Sequence, residues 1–306
     1  MGSLKCSRPM VRVAIQLPVI PAHLLNCRIN KVTDITLLSN QKMRGVHILR
    51  LFLLALALPV ITLTSAQAED TPPLTTLIGA GIWSRPAYTG AASNRTSLIP
   101  ELRYYGKPWF VRTTFGMLEG GARYQALSGL TLGGQLAYEG GRDTTESEFL
   151  AAHNLPTLNP SLSWGIHAEL VKKLGPMPVA ALLRYRQDMD NNRGAQTDLR
   201  LEAGIFSGGG LNAGIFAQST RADKKSSNYY YGISTQQSAS SGLSAFDAQS
   251  GEMFSIYGLF FSYELNPEWV VLGNIESRQV RVAVSDSPLV QQSSNRYASL
   301  GLAYQF

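Results

Sequence analysis

Beyond residue 27 the chain has no cysteine; the two it carries are Cys6 and Cys27. A chain trimmed past them has no thiol to pair in an oxidising compartment, no thiolate for a metal or a nucleophile, and no lipid-attachment cysteine. Histidine is nearly as scarce. Only His153 and His167 lie past residue 68, and neither has a second His or Cys at ligand spacing, so no metal is expected. Long apolar runs are missing as well: the richest, residues 51–60, is about half of the roughly 20 residues a spanning helix needs. The glycines fall at turns and in strands, not in a phosphate cradle that opens a helix, and no cofactor is expected.

A basic excess is lacking where it would matter. The formal net charge is +6, but residues 1–68 hold eight Lys/Arg (Lys5, Arg8, Arg12, Arg28, Lys31, Lys42, Arg44, Arg50) against one acid, Asp34. Residues 69–306 therefore carry 19 basic and 20 acidic side chains. Binding to a polyanion rests on phosphate neutralisation by a basic folded surface, so nucleic acid is excluded as a partner.

What is present begins with an export signal. Met43, Arg44, His47 and Arg50 precede the apolar run 51–60, and Ala66-Gln67-Ala68 follows: a basic region, an apolar core and a small-x-small cleavage site in order. Cleavage is expected after Ala68, with the exported chain starting at Glu69. Residues 1–42 fit no export pattern and read as an upstream extension, with Met43 as the start.

From Glu69 onward the hydrophobic period is two. Leu130, Leu132, Leu136 and Tyr138 alternate with Thr131, Gln135 and Glu139; Leu162, Trp164, Ile166 and Ala168 alternate with Ser163, Gly165, His167 and Glu169; Leu199, Leu201, Ala203 and Ile205 alternate with Asp198, Arg200 and Glu202. Similar segments cover residues 75–83, 98–105, 109–117, 122–127, 179–186, 211–218, 254–263, 269–277 and 297–306. About twelve strands are expected, most near the ~9–11 residues that a tilted strand needs to cross the hydrocarbon layer.

Loop parity decides between a soluble sandwich and a membrane barrel. Turns after even-numbered strands are tight (106–108, 128–129, 175–176, 207–210, 266–267), and those after odd-numbered strands are long (85–96, 140–160, 189–194, 220–253, 282–295). Only 118–121 breaks the rule. Short turns at one rim, long loops at the other and both termini at the short rim are the plan of an all-β, antiparallel outer-membrane barrel with periplasmic termini. Closure pairs every backbone group in the hydrocarbon and leaves no edge. Tyr104, Trp109, Tyr138, Trp164, Tyr185, Trp269 and Tyr304 fall near strand ends, where aromatic girdles sit among headgroups, so lipid and lipopolysaccharide are expected at the outer face.

Several stretches together resemble one family. They are Gly79-x-Gly81 with Pro86-x-Tyr88-x-Gly90, then Tyr138-x-Gly140-Gly141-Arg142-Asp143, then Arg186-Gln187-Asp188. Tyr231-Gly232-Ile233-Ser234 runs on through Gln237-Ser238-Ala239-Ser240-Ser241-Gly242-Leu243 to Phe246-Asp247-Ala248, and Asp286-Ser287-Pro288-Leu289-Val290 follows. The ordered set is similar to the MipA/OmpV family of outer-membrane proteins, named for MltA-interacting protein. The resemblance covers essentially all of residues 69–306. It implies a scaffold that brings a murein-degrading lytic transglycosylase together with a penicillin-binding murein synthase, and no enzyme. It leaves open a narrow porin or channel, or a surface adhesin using the long loops. The last strand, with Phe306, Tyr304, Leu302, Leu300 and Ala298 on one face, resembles the signal through which the barrel-assembly machinery recognises its clients.

Charged residues recur on the faces assigned inward: Glu101, Arg103, Arg112, Glu139, Glu169, Arg184, Arg186, Asp188, Arg200 and Glu202. A barrel of about twelve strands lies between the ~8-stranded kind that side chains fill and the ~16-stranded open porins, and a packed or narrow lumen is expected. His167 shares a face with Ser163 and Glu169, a trio that could activate a serine. Alternation on any polar strand face produces the same trio, so catalytic residues are entered as none. The segment 226–249, with Tyr229, Tyr230 and Tyr231, is the candidate for ligand contact or for folding over the mouth.

Overall fold

The computed structural model describes residues 76–114 and 116–306. The leader, the cleavage site after Ala68 and the upstream extension lie outside the described residues.

Twelve antiparallel strands close into one barrel in sequence order. They are β1 Leu77–Pro86, β2 Asn94–Tyr105, β3 Trp109–Thr114, β4 Met117–Leu127, β5 Leu130–Glu139, β6 Ser161–Leu174, β7 Met177–Asp188, β8 Ala195–Gly208, β9 Leu211–Ala222, β10 Gly251–Glu264, β11 Trp269–Val280 and β12 Ser294–Gln305. The seam pairs the first strand with the last, Leu77 opposite Gln305 through Ser84 opposite Ala298. Among the described residues no helix is long and apolar enough to cross a membrane; the strands do the crossing.

The two faces divide as the alternation requires. Leu132, Leu136, Ile166, Leu201 and Leu300 point outward and are exposed. Their inward neighbours Gln135, His167, Arg200 and Ala303 are buried. All seven predicted girdle aromatics face outward. Tyr138, Trp164 and Tyr185 form an upper row, with Trp164 and Tyr185 edge to face at 6.0 Å. Tyr104, Trp109, Trp269 and Tyr304 form a lower one, Trp269 and Tyr304 meeting at 5.4 Å.

Strands run longer than predicted, reaching 14 residues in β6, β8 and β10, because their polar ends continue beyond the apolar belt. One boundary is corrected outright. Residues 118–121, expected as a loop, lie inside β4, and the turn falls at Gly116, whose φ of +79° takes the left-handed region open to glycine. Gly121 looks like a turn residue in sequence. Its backbone instead presses against the Gly134 carbonyl of β5, where a Cβ has no room.

Candidate functional site: a capped and ion-paired lumen

The inward charges form a connected network along β3 to β9. Arg112 Nε donates to Glu119 Oε1 at 2.5 Å, and its Nη1 lies 2.6 Å from Glu169 Oε1. Glu119 also accepts from Arg184 Nη1 at 2.8 Å and from Gln135 Nε2 at 2.8 Å. Arg184 Nη2 reaches Asp198 Oδ2 at 2.9 Å, and Arg186 bridges the same carboxylate to Glu139. Thr220 Oγ1 donates to Asp198 Oδ1 at 2.8 Å, and Arg200 Nε donates to Glu202 at 2.5 Å. The Arg200 guanidinium stacks 3.5 Å over the Phe216 ring, carrying the network toward the far wall. There Arg278 pairs with Glu276 at 2.9 Å and lies 4.4 Å over Tyr297. Charges held by opposite charges in this way are spent on one another.

Sequence reasoning named ten inward charges, of which seven (Arg112, Glu139, Glu169, Arg184, Arg186, Arg200 and Glu202) stand in this network and Glu101, Arg103 and Asp188 do not, and it missed Glu119, Asp198, Glu276 and Arg278. Asp198 stood on the correct face beside Arg200, while Glu119 was hidden by the misplaced turn. The Ser163, His167 and Glu169 trio is inward but not joined. Ser163 Oγ donates to Glu139 at 2.7 Å, His167 Nδ1 sits 2.5 Å from Gln135 Oε1, and Glu169 is taken by Arg112.

Above the network the long connections fold inward and build an apolar cap. The 223–250 connection supplies α2 (Lys224–Tyr231) and α3 (Thr235–Ser241), and the 140–160 connection supplies a short 3-10 turn, Thr144–Glu146, and α1 (Glu148–Ala152). Asp223, Ser234 and Ser147 cap these helices through their side-chain oxygens. Buried Ala91, Leu150, Tyr231, Ile233, Ala248, Val284 and Leu289 pack with Met253, Phe254 and Ile256 of the wall. Hydrogen bonds stitch the loops together. Tyr88 Oη donates to the Leu289 carbonyl at 2.8 Å, Tyr231 Oη to the Thr89 carbonyl at 2.7 Å, and Ser287 Oγ to the Tyr231 carbonyl at 2.7 Å. Arg142 Nη1 donates to the Tyr230 carbonyl at 2.7 Å, with its guanidinium 5.6 Å over the Tyr88 ring. Burial pushes the Tyr88 phenol up to about 12 and raises Tyr230 and Tyr231 in the same direction. The motifs that carried the sequence resemblance thus converge in space: Tyr88, Arg142, Tyr231 and the Ser287-to-Leu289 turn are one structure.

Against the network lies a cavity of about 190 Å³ whose lining mixes apolar Leu77, Ile99, Leu182 and Phe260 with charged Glu101, Arg103, Arg112 and Glu169. Among the described residues no cluster of metal-ligating side chains is present.

A closed twelve-strand barrel with an apolar belt between two aromatic rows, tight turns at one rim and long loops at the other is an outer-membrane β-barrel. The sequence profile described as MltA-interacting protein MipA matches residues 78–306, and the chain belongs to that family. It is 31% identical over 120 residues to the MltA-interacting protein of Escherichia coli K12, covering 39% of this chain and 47% of that protein; the Shigella flexneri protein of the same name matches equally. The chain therefore spans about half the length of these curated relatives. It is also 24% identical over 235 residues to E. coli K12 YiaT, an outer-membrane protein by provisional description, covering 75% of this chain and 90% of that one. Among solved structures it is similar to the COG4313 outer membrane channel of Pseudomonas putida F1, at 12% identity and a TM-score of 0.45, over 79% of this chain and all of that one.

Proposed function

We propose that this protein is a scaffold of the cell envelope, not a conduit: a barrel anchored in the outer membrane that holds a lytic transglycosylase and a penicillin-binding murein synthase at its periplasmic rim. The observation that carries the reading is how the lumen is used. Its charged side chains pair with one another and its loops fill the mouth, so the interior stabilises the barrel and leaves the outer rims to meet partners. The relatives named for interaction with MltA support the same reading. The docking surface is the ring of tight turns around Lys107, Ser128, Gly175, Gly209 and Pro267, which is small and therefore binds with few anchors. Export proceeds by cleavage after Ala68, and the barrel-assembly machinery engages the last strand through Phe306. The lipid-facing belt contacts outer-membrane lipid and lipopolysaccharide, and the protein performs no catalysis itself.

The test is co-retention. The barrel purified from outer membranes is immobilised and offered the lytic transglycosylase and the murein synthase of the same cell, singly and together. Retention of both, weakened at least tenfold by Lys107→Glu with Trp269→Ala, is expected. A folded barrel that retains neither enzyme and conducts stepwise in a planar bilayer would replace the scaffold with a channel.

A further inference from the structure

The one short connection on the long-loop rim has a structural consequence. β2 and β3 are joined by three residue pairs, Arg103 opposite Arg112, Tyr104 opposite Val111 and Tyr105 opposite Phe110. β3 then ends at Thr114, which the register sets level with Glu101, while β2 continues upward through Asn94–Pro100, about 23 Å of strand at ~3.3 Å per residue. Over this stretch β2 is paired to β1 throughout, but the described residues give its other edge no strand. Pro100 lies within it, a residue that offers the ladder no donor and is tolerated at sheet edges. The top of the gap is bridged where Arg95 of β2 pairs with Glu146 of the 140–160 connection.

This gap lies at membrane depth. Leu98, on its edge, is 81% exposed on the lipid side, between Tyr104 of the lower aromatic row and the bridged top. Open strand edges are not left facing hydrocarbon unless they border protein or a cavity. Here they border one. The 190 Å³ cavity reaches the gap, and its lining includes Leu102 and Thr113, the first unpaired residues on either side, both with lipid-facing register. Trp83 stands just inside, its ring against Gly116 at the hairpin tip. The volume exceeds the ~150 Å³ of an apolar cavity able to take up benzene.

Apolar Leu77, Ile99, Leu182 and Phe260 share the cavity wall with charged side chains, of which Arg112 and Glu169 are spent on one another, while among the described residues Arg103, beside Glu101, has no carboxylate within ion-pair distance. We infer that the β2–β3 gap is a lateral window through which a single-chain amphiphile enters from the bilayer, its acyl tail against Leu77, Ile99, Leu182 and Phe260 and its anionic head group at Arg103. This inference does not depend on the scaffold reading, since the periplasmic rim takes no part.

The test uses the purified protein in liposomes with a diazirine-bearing palmitate. Labelling of Ile99, Leu102 and Thr113 is expected to saturate and to be displaced by excess palmitate, whereas labelling of the belt at Leu136 and Ile166 is not displaced. Arg103→Gln should weaken palmitate displacement about tenfold and leave displacement by hexadecanol unchanged. Ile99→Trp, which fills the cavity from β2, should abolish saturable labelling while heat-modifiable gel migration confirms a folded barrel. If lysophosphatidic acid displaces the probe more strongly than palmitate, the source is a membrane lipid; the reverse makes it a free fatty acid. Uniform, undisplaced labelling of belt and window alike in the wild-type protein, or full saturable labelling in Ile99→Trp, overturns the window.

Discussion

Asp198 shows how much one lumen side chain carries. Its carboxylate accepts from Arg184, Arg186 and Thr220 and is almost fully buried. Replacing it with alanine leaves Arg184 with Glu119 alone and Arg186 with Glu139 alone in a low-dielectric interior, and removing one partner of a buried pair typically costs about 3–5 kcal/mol. Asp198→Ala is expected to lower the temperature at which the barrel changes gel mobility by more than any single lipid-face Leu→Ala. Asp198→Asn, which keeps the Thr220 hydrogen bond, should fall between. Equal losses in the two variants would show that the charge carries the whole effect, and an Asp198→Asn barrel as stable as the wild type would show that the charge is irrelevant. This residue also marks the limit of sequence reading. Alternation places Asp198, Arg200 and Glu202 on one face, but pairing with Arg184 and Arg186 depends on the register of β7 against β8, which no local pattern contains.

At the scale of elements, the cap is the part whose members were visible while their meeting was not. The tyrosines, the Arg142 motif and the Asp-Ser-Pro-Leu-Val turn all stood out as motifs, and the 226–249 segment was a candidate lid. That they interlock follows only from closure of the barrel, which brings connections 87–93, 140–160, 223–250 and 281–293 over one mouth. The strands themselves were readable because each needs only its own alternation. β4 was clipped because a Gly-Gly pair signals a turn unless a neighbouring backbone is known to press on it. Each cap hydrogen bond is worth about 1 kcal/mol, so Tyr88→Phe combined with Tyr231→Phe should speed protease cleavage within 223–250 several-fold and leave barrel mobility on gels unchanged. The phenols also set a pH limit. Because Tyr88 holds its proton up to about 12 in the cap against 10.0 outside it, the cap is unaffected below pH 10 and loses stability as pH rises toward 12. Protease cleavage within 223–250 should rise in that window and not below it, and cleavage as fast at pH 8 as at pH 12 would show that ionisation of the phenols does not open the cap.

At the scale of the whole molecule, the lumen holds two successive obstructions, the cap and the ion-pair network, and they are built differently. The cap is apolar and contributed by connections; the network is polar and contributed by the wall, with side chains from β3 to β9 pairing across it. A barrel of this strand number has an interior close to what side chains can fill, so the network should hold without the cap above it. The wild-type barrel is therefore expected to be silent in a planar bilayer, and deletion of residues 224–249 alone to leave it nearly so. Combining that deletion with Arg184→Ala and Asp198→Ala removes opposite charges from the same crossing while keeping net charge constant, and stepwise current should then appear. Current from the deletion alone would mean that the cap is the gate and that the charges beneath it line a path instead of blocking one.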